Sequence, residues 1–191
     1  MSLKELTIEQ HRNAERQKFA SILMSGNISK ISYLQYLINQ LHCYSVLENH
    51  SKFKLPDDRL KREKNIQEDI NELNNNLNIK DEELLQMLTQ SSFDYVDHVK
   101  KNIQTENDFL AHIYVRYLGD LRGGQMISKK IPGQGKYYQF DNNKELASSI
   151  YRVLNDNMAE EAKLYLILPL NYSLKCMNVT NQESQIKRVI Q

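Results

Sequence analysis

The sequence is short of everything that marks a specialised chain. No stretch of its 191 residues approaches the ~18 apolar residues that span a membrane. The polar start MSLKELTIEQHR has no apolar signal core, so a soluble cytoplasmic protein is expected. Its cysteines, Cys43 and Cys176, have neither CxxC nor metal-type spacing and read as reduced thiols. A net charge of +1 lacks the basic excess of a nucleic-acid binder. There is no internal repeat, and no segment reads as strand. What remains, 40% hydrophobic and 26% charged residues, suits one soluble domain long enough to bury a substantial core. The prediction is a single all-α domain over residues 1–191, its last ~15 residues a loose tail.

Glycine is also scarce, and its distribution is uneven. Of six glycines, Gly119, Gly123 and Gly124 fall within FLAHIYVRYLGDLRGGQ, residues 109–125. Leu110, Ile113, Tyr114, Tyr117, Leu118 and Leu121 give that stretch the spacing of a buried helical face. Each glycine costs a helix about 1 kcal/mol relative to Ala. Gly119 and Gly123 are one turn apart, so they clear a stripe where something flat can approach the backbone. Close helix packing or a kink is the alternative. Asp120 beside the stripe, with Arg116 a turn earlier, can hold a polar network in an apolar slot; a solvated charge pair is the plainer reading.

Elsewhere, Ser2 and Glu5 can cap a first helix, on which Lys4, His11 and Glu15 share a face. On spacing alone His11 is a solvent-facing histidine. Gly26-Asn27 breaks the chain, and Ser32 with Gln35 suggests a capping box for a core helix carrying Leu34, Leu37, Ile38, Leu41, Tyr44 and Leu47. Tyr44 fits either a buried network or a ring with its hydroxyl at the surface. His42 and His50 read as surface residues. Residues 59–73 form a charged helix with a thin stripe of Leu60, Ile66, Ile70 and Leu73, its charges solvated, and Asn74-Asn75-Asn76 reads as a turn. Asp81 can cap a short helix, and Ser92 starts another through Tyr95, Val96, Val99 and Ile103. Thr105 and Asp108 cap the glycine-bearing helix, which Ile131-Pro132-Gly133-Gln134-Gly135 ends. Tyr137, Tyr138 and Phe140 cover the core, Asp141 or Asn143 starts a further helix, and Asp156 caps a last one that Pro169 kinks or ends.

YVRYLGDLRGGQ resembles the distal-helix signature of the heme oxygenases, written YTRYLGDLSGGQ. HRNAE resembles their proximal segment, in which a His ligates heme iron and a Glu follows four residues later. HCYSVLENH is similar to their YxxYVALEEE region, and Tyr151-Arg152 to a YR dipeptide whose Arg meets a propionate. EEAK near residue 160 matches as well. The resemblance implies heme b as cofactor and substrate, held between proximal and distal helices. It makes His11 the iron ligand, with Glu15 an acceptor for its second nitrogen. Lys4, Tyr114 and Arg152 become propionate contacts, and Gly119 and Gly123 the distal backbone against heme. Asp120, Arg116 and Tyr44 become the catalytic polar network, with Tyr95 a further member and His112 structural. The implied activity opens heme with O2 and electrons from an external donor, ferredoxin or a flavoprotein, giving biliverdin (the IXα isomer), CO and ferrous iron. A downstream bilin reductase is a further implied partner, and a monomer is expected.

Some members carry a C-terminal membrane anchor, whereas NQESQIKRVIQ is too polar for one. Arg122 stands where the family has Ser, Val115 where it often has Thr, Ser148 where it has a basic residue, and Pro169 departs from it too. These differences leave room for a heme carrier or sensor without turnover. A non-heme di-iron site needs converging Glu and His residues, often as ExxH, and no ExxH occurs.

Overall fold

The computed structural model describes residues 8, 9, 12, 16 and 18–154. The readings made for Ser2, Lys4, Glu5, His11, Glu15, Asp156, Pro169 and Cys176 lie outside them. The fold is all-helical, with no strand among the described residues. The helices among the described residues are α1 (Lys18–Ser25), α2 (Lys30–Glu48), α3 (Glu63–Leu77), α4 (Asp81–Gln86), α5 (Gln90–Asn102), α6 (Glu106–Ile127) and α7 (Asn143–Val153). Short 3-10 turns at Asp58–Leu60 and Lys136–Tyr138 precede α3 and α7.

The long helix α2 is the centre of the packing. α3 and α5 lie against it, while α6 carries α1, α7 and the Lys136–Tyr138 turn. Gly26, at φ +78°, makes the bend that separates α1 from α2, a conformation glycine adopts freely. The cap of α2 lies earlier than Ser32: Ser29 accepts the Ser32 N–H at 3.1 Å. Gln35, expected in that cap, is buried and donates instead to the Met87 carbonyl at 3.2 Å. Leu34, Leu37, Tyr44 and Leu47 are at most 1% exposed, each burial contributing about 1.5–3 kcal/mol for the aliphatic members.

The buried Asn39 of α2 is paired on both sides of its amide, as an apolar core favours. The Asn39 side-chain oxygen accepts from the Thr89 N–H and hydroxyl, both at 2.9 Å, and from Ser92 Oγ at 2.8 Å. Its amide donates to the Met87 carbonyl at 2.9 Å. One side chain thus fastens the α4–α5 connection to the central helix.

Several local expectations change under tertiary contact. The 74–76 asparagines stay helical, and α3 ends on Asn78 in the left-handed region (φ 52°). The apolar stripe of α3 is buried as expected, but two of the charges beside it are not solvated. Asp69 is 2% and Arg62 5% exposed, because both serve a backbone loop described below. His50 is buried too, its Nδ1 accepting the Lys52 and Phe53 N–H groups at 3.3 Å each. His42 is half-buried with its ring edge-on to Phe93. Neither is the surface histidine that its polar neighbours suggest.

Candidate active site

Helix α6 begins as its sequence predicts. Thr105 Oγ1 accepts the Asp108 N–H at 3.2 Å, and an Asp108 carboxylate oxygen accepts the Thr105 N–H at 2.9 Å. This reciprocal cap fixes where the helix starts and therefore which residues face which way four turns later. The three glycines then separate into two kinds. A Cβ at Gly124 would sit 2.5 Å from a ring carbon of Tyr138, so this glycine is a close-packing position. At Gly119 and Gly123 a Cβ would meet no described atom within 4 Å. These two share a helical stripe against which no described residue packs, so among the described residues the backbone is open on that side.

Asp120 follows the first open glycine and turns toward α2. Tyr44 donates its hydroxyl hydrogen to Asp120 Oδ2 in a very short contact. Tyr137, from the 3-10 turn, donates to the Tyr44 oxygen at 3.3 Å. Burial pushes the Asp120 carboxyl up, and the hydroxyls of Tyr44 and Tyr137 and the charges of Arg116 and Arg62 pull it partway back, leaving it at about 6. The result is a carboxyl that exchanges its proton near neutral pH, beside a stripe free of side chains.

Arg116 joins the same network without an ion pair to Asp120. Its Nε donates to Tyr95 Oη at 3.0 Å and one terminal nitrogen to Gln40 Oε1 at 3.0 Å. The guanidinium carbon lies 4.2 Å from the Tyr95 ring centre and 5.5 Å from that of Tyr44. A cation flanked by two aromatic faces gains quadrupole attraction and loses freedom. Tyr95 also pairs with His112 Nδ1 at 2.9 Å. Burial first, and then the Arg116 charge, hold the His112 pKa far below that of a free imidazole. His112 is therefore a neutral, fully buried member of the core.

The fold thus brings Tyr44, Tyr95, Arg116, Gly119, Asp120 and Gly123 to one region. Tyr114 is buried on the same helix, and Arg152 is exposed in the last turn of α7. The guanidinium of Arg122 is 5.3 Å from the ring centre of the exposed Tyr151, so its stem does leave the open stripe. A cavity of about 430 Å³ lies elsewhere, among His42, Asn49, His50, Val96 and Lys100, and contains none of the network residues.

Sequence reasoning missed four contributors. Tyr137, which its sequence context makes only a core cover, donates to Tyr44. Gln40 holds Arg116. Glu48 accepts the Arg62 and Glu63 N–H groups at 2.6 and 3.1 Å, capping α3 from another helix, and also takes the Tyr117 hydroxyl at 3.0 Å. Arg62 spans the loop to the Lys136–Tyr138 turn. None of these pairings has a local spacing from which it could be read.

A stripe clear of described side chains, next to one proton-exchanging carboxyl in an aromatic wall, lets a flat ligand approach the backbone beside a group that can hold or move a proton. The model of the family described as "Heme oxygenase" matches residues 1–165. The chain belongs to the heme oxygenase family. That family comprises heme-degrading oxidoreductases. Among named relatives, heme oxygenase 1 of Synechocystis is 29% identical over 84% of this chain and 73% of its own length. The Guillardia theta heme oxygenase is 31% identical over 74% of this chain and 65% of its own. Among solved structures, the Leptospira interrogans heme oxygenase superposes with a TM-score of 0.74 at 25% identity, covering 92% of this chain and 99% of that one. Synechocystis heme oxygenase-1 in complex with heme gives 0.71 at 21% identity, over 98% and 93% of the two chains, and bears on the fold alone.

Proposed function

We propose that this heme oxygenase opens heme with O2 and external electrons, releasing biliverdin IXα, CO and ferrous iron. The observation that carries the reading is the open Gly119–Gly123 stripe with Asp120 held at its edge by Tyr44. Heme, as cofactor and substrate, supplies the iron that binds O2 and the ring that is opened. The chain's own residues do the rest. Gly119 and Gly123 present backbone where side chains would block a flat ligand. Asp120 holds water and can give or take a proton at its carboxyl near neutral pH. Tyr44 restrains that carboxyl, and Arg116, tied to Tyr95 and Gln40, fixes the wall behind it.

His11 is the proposed iron ligand, with Glu15 orienting its second nitrogen. Lys4, Tyr114 and Arg152 are the proposed propionate contacts. Arg12, Arg16 and Arg122 are exposed cations that, with Lys4, suit an acidic donor such as ferredoxin or a flavoprotein. No helix among the described residues is long and apolar enough to cross a membrane, and a cytoplasmic monomer is proposed.

The test is an absorption spectrum of the protein with hemin, followed by reduced ferredoxin in air. Wild type should show an imidazole-ligated spectrum and then biliverdin. His11→Ala should bind hemin more weakly and lose the ligated character. An unchanged spectrum and turnover in His11→Ala would remove the ligand assignment. A ligated wild-type spectrum without product would make the chain a heme carrier or sensor.

A further inference from the structure

The Lys136–Tyr138 turn is held with unusual firmness for a single turn in a connection. Asp69 takes the Lys136 and Tyr137 N–H groups on its two carboxylate oxygens, at 2.9 and 2.8 Å. Arg62 donates to the Gln139 carbonyl at 2.6 Å and the Tyr137 carbonyl at 3.4 Å, with its guanidinium 3.8 Å from the Phe140 ring centre. Both charges are nearly inaccessible to water. Two buried charges are an expensive way to anchor a loop, and neither ion-pairs with the other.

What they hold in place is the Tyr137 hydroxyl. The ring is 1% exposed and stands edge-on to Tyr44, centres 5.6 Å apart at 74°. The Tyr44 hydroxyl has one hydrogen, which goes to Asp120, so its oxygen is free only to accept. Tyr137 is the donor to that oxygen. The three groups therefore form a chain with one direction: Tyr137 to Tyr44 to Asp120.

We propose that Tyr137 is a positioning residue of the active site: by donating to Tyr44 it commits that hydroxyl's only hydrogen to Asp120, and Asp69 and Arg62 hold Tyr137 in the place where it can do so. This rests on the proposed function only in making Asp120 the proton-handling group. With the Tyr137 hydroxyl removed, Tyr44 is free to rotate away, and the ionised Asp120 loses the support that both hydroxyls give it against burial. The other groups facing Asp120 are Tyr33, Tyr36 and Tyr44 from α2, Arg62 ahead of α3, Tyr138 beside Tyr137, and Arg116 on its own helix. Tyr137→Phe changes none of them.

The experiment measures the Asp120 titration directly, by carboxyl-carbon NMR of aspartate-labelled, ligand-free protein, in wild type, Tyr137→Phe and Tyr138→Phe. Tyr138 is the control, since its hydroxyl meets Tyr36 at 3.1 Å and not Tyr44. In Tyr137→Phe the Asp120 midpoint should rise by roughly half to one pH unit, and in Tyr138→Phe it should stay. The acidic limb of the turnover profile with hemin should move with the midpoint. An unmoved Asp120 midpoint in folded Tyr137→Phe overturns the proposal, whatever happens to turnover. A shifted midpoint in a protein that makes no biliverdin keeps the positioning role and removes the catalytic reading.

Discussion

The two kinds of glycine in α6 predict opposite responses to one added methyl group. Replacing a helix-interior Gly by Ala gains about 0.5–1 kcal/mol when nothing opposes the new atom. At Gly119 and Gly123 no described atom lies within 4 Å of the added carbon, so Gly119→Ala and Gly123→Ala should each stabilise the ligand-free protein. For a chain of this length that is about 2–4 °C of melting temperature per kcal/mol. At Gly124 the carbon would lie 2.5, 3.1 and 3.2 Å from three atoms of Tyr138. That ring is 1% exposed and packs 4.2 Å from the Tyr137 ring centre, so it cannot swing aside. Gly124→Ala should cost about 1–3 kcal/mol, as overpacking does. Hemin affinity should run the other way. The methyl groups at 119 and 123 stand on the proposed heme face, and a tenfold loss needs only about 1.4 kcal/mol. Urea denaturation of the ligand-free variants and hemin titration decide it together. If Gly123→Ala binds hemin as tightly as wild type, the stripe is not the heme face. If all three variants lose stability alike, the glycines serve helix packing instead.

Two further outcomes follow from the same geometry. Asp120 has its folded pKa raised to about 6 from 3.8, so stability is fully present below the lower value and falls as pH rises through the higher. The ionised carboxyl should cost up to about 3 kcal/mol above pH 6, less whatever its partial exposure relieves. Asp120→Asn should therefore stabilise the ligand-free protein near pH 8 but not near pH 4, by urea denaturation, and should abolish biliverdin formation; an equal effect at both pH values would mean that the carboxyl is not strained. Arg122→Ser should keep hemin affinity but slow ferredoxin-driven turnover, more at low salt than at high. An equal loss with a small chemical reductant would place Arg122 in the heme pocket.

The sequence by itself determined whatever is settled within a few residues along the chain. The Thr105–Asp108 cap, the break at Gly26, the apolar stripe of α3 and the all-helical character are local, and each was legible from spacing and residue type. So was the uneven placement of three glycines around Asp120, and with it the family resemblance. Spacing did not separate Gly124 from Gly119 and Gly123, because only the approach of Tyr138 from another segment makes one of them a packing position. His42, His50, Arg62 and Asp69 looked solvated for a similar reason: a polar neighbourhood in sequence says nothing about which loop folds over it. The network itself lay furthest from view. Tyr44 meets Asp120 across 76 residues, and Tyr137 meets Tyr44 across 93. No periodicity encodes pairings of that span. They exist only once helix packing has excluded water, and the same exclusion raises the Asp120 pKa toward neutrality.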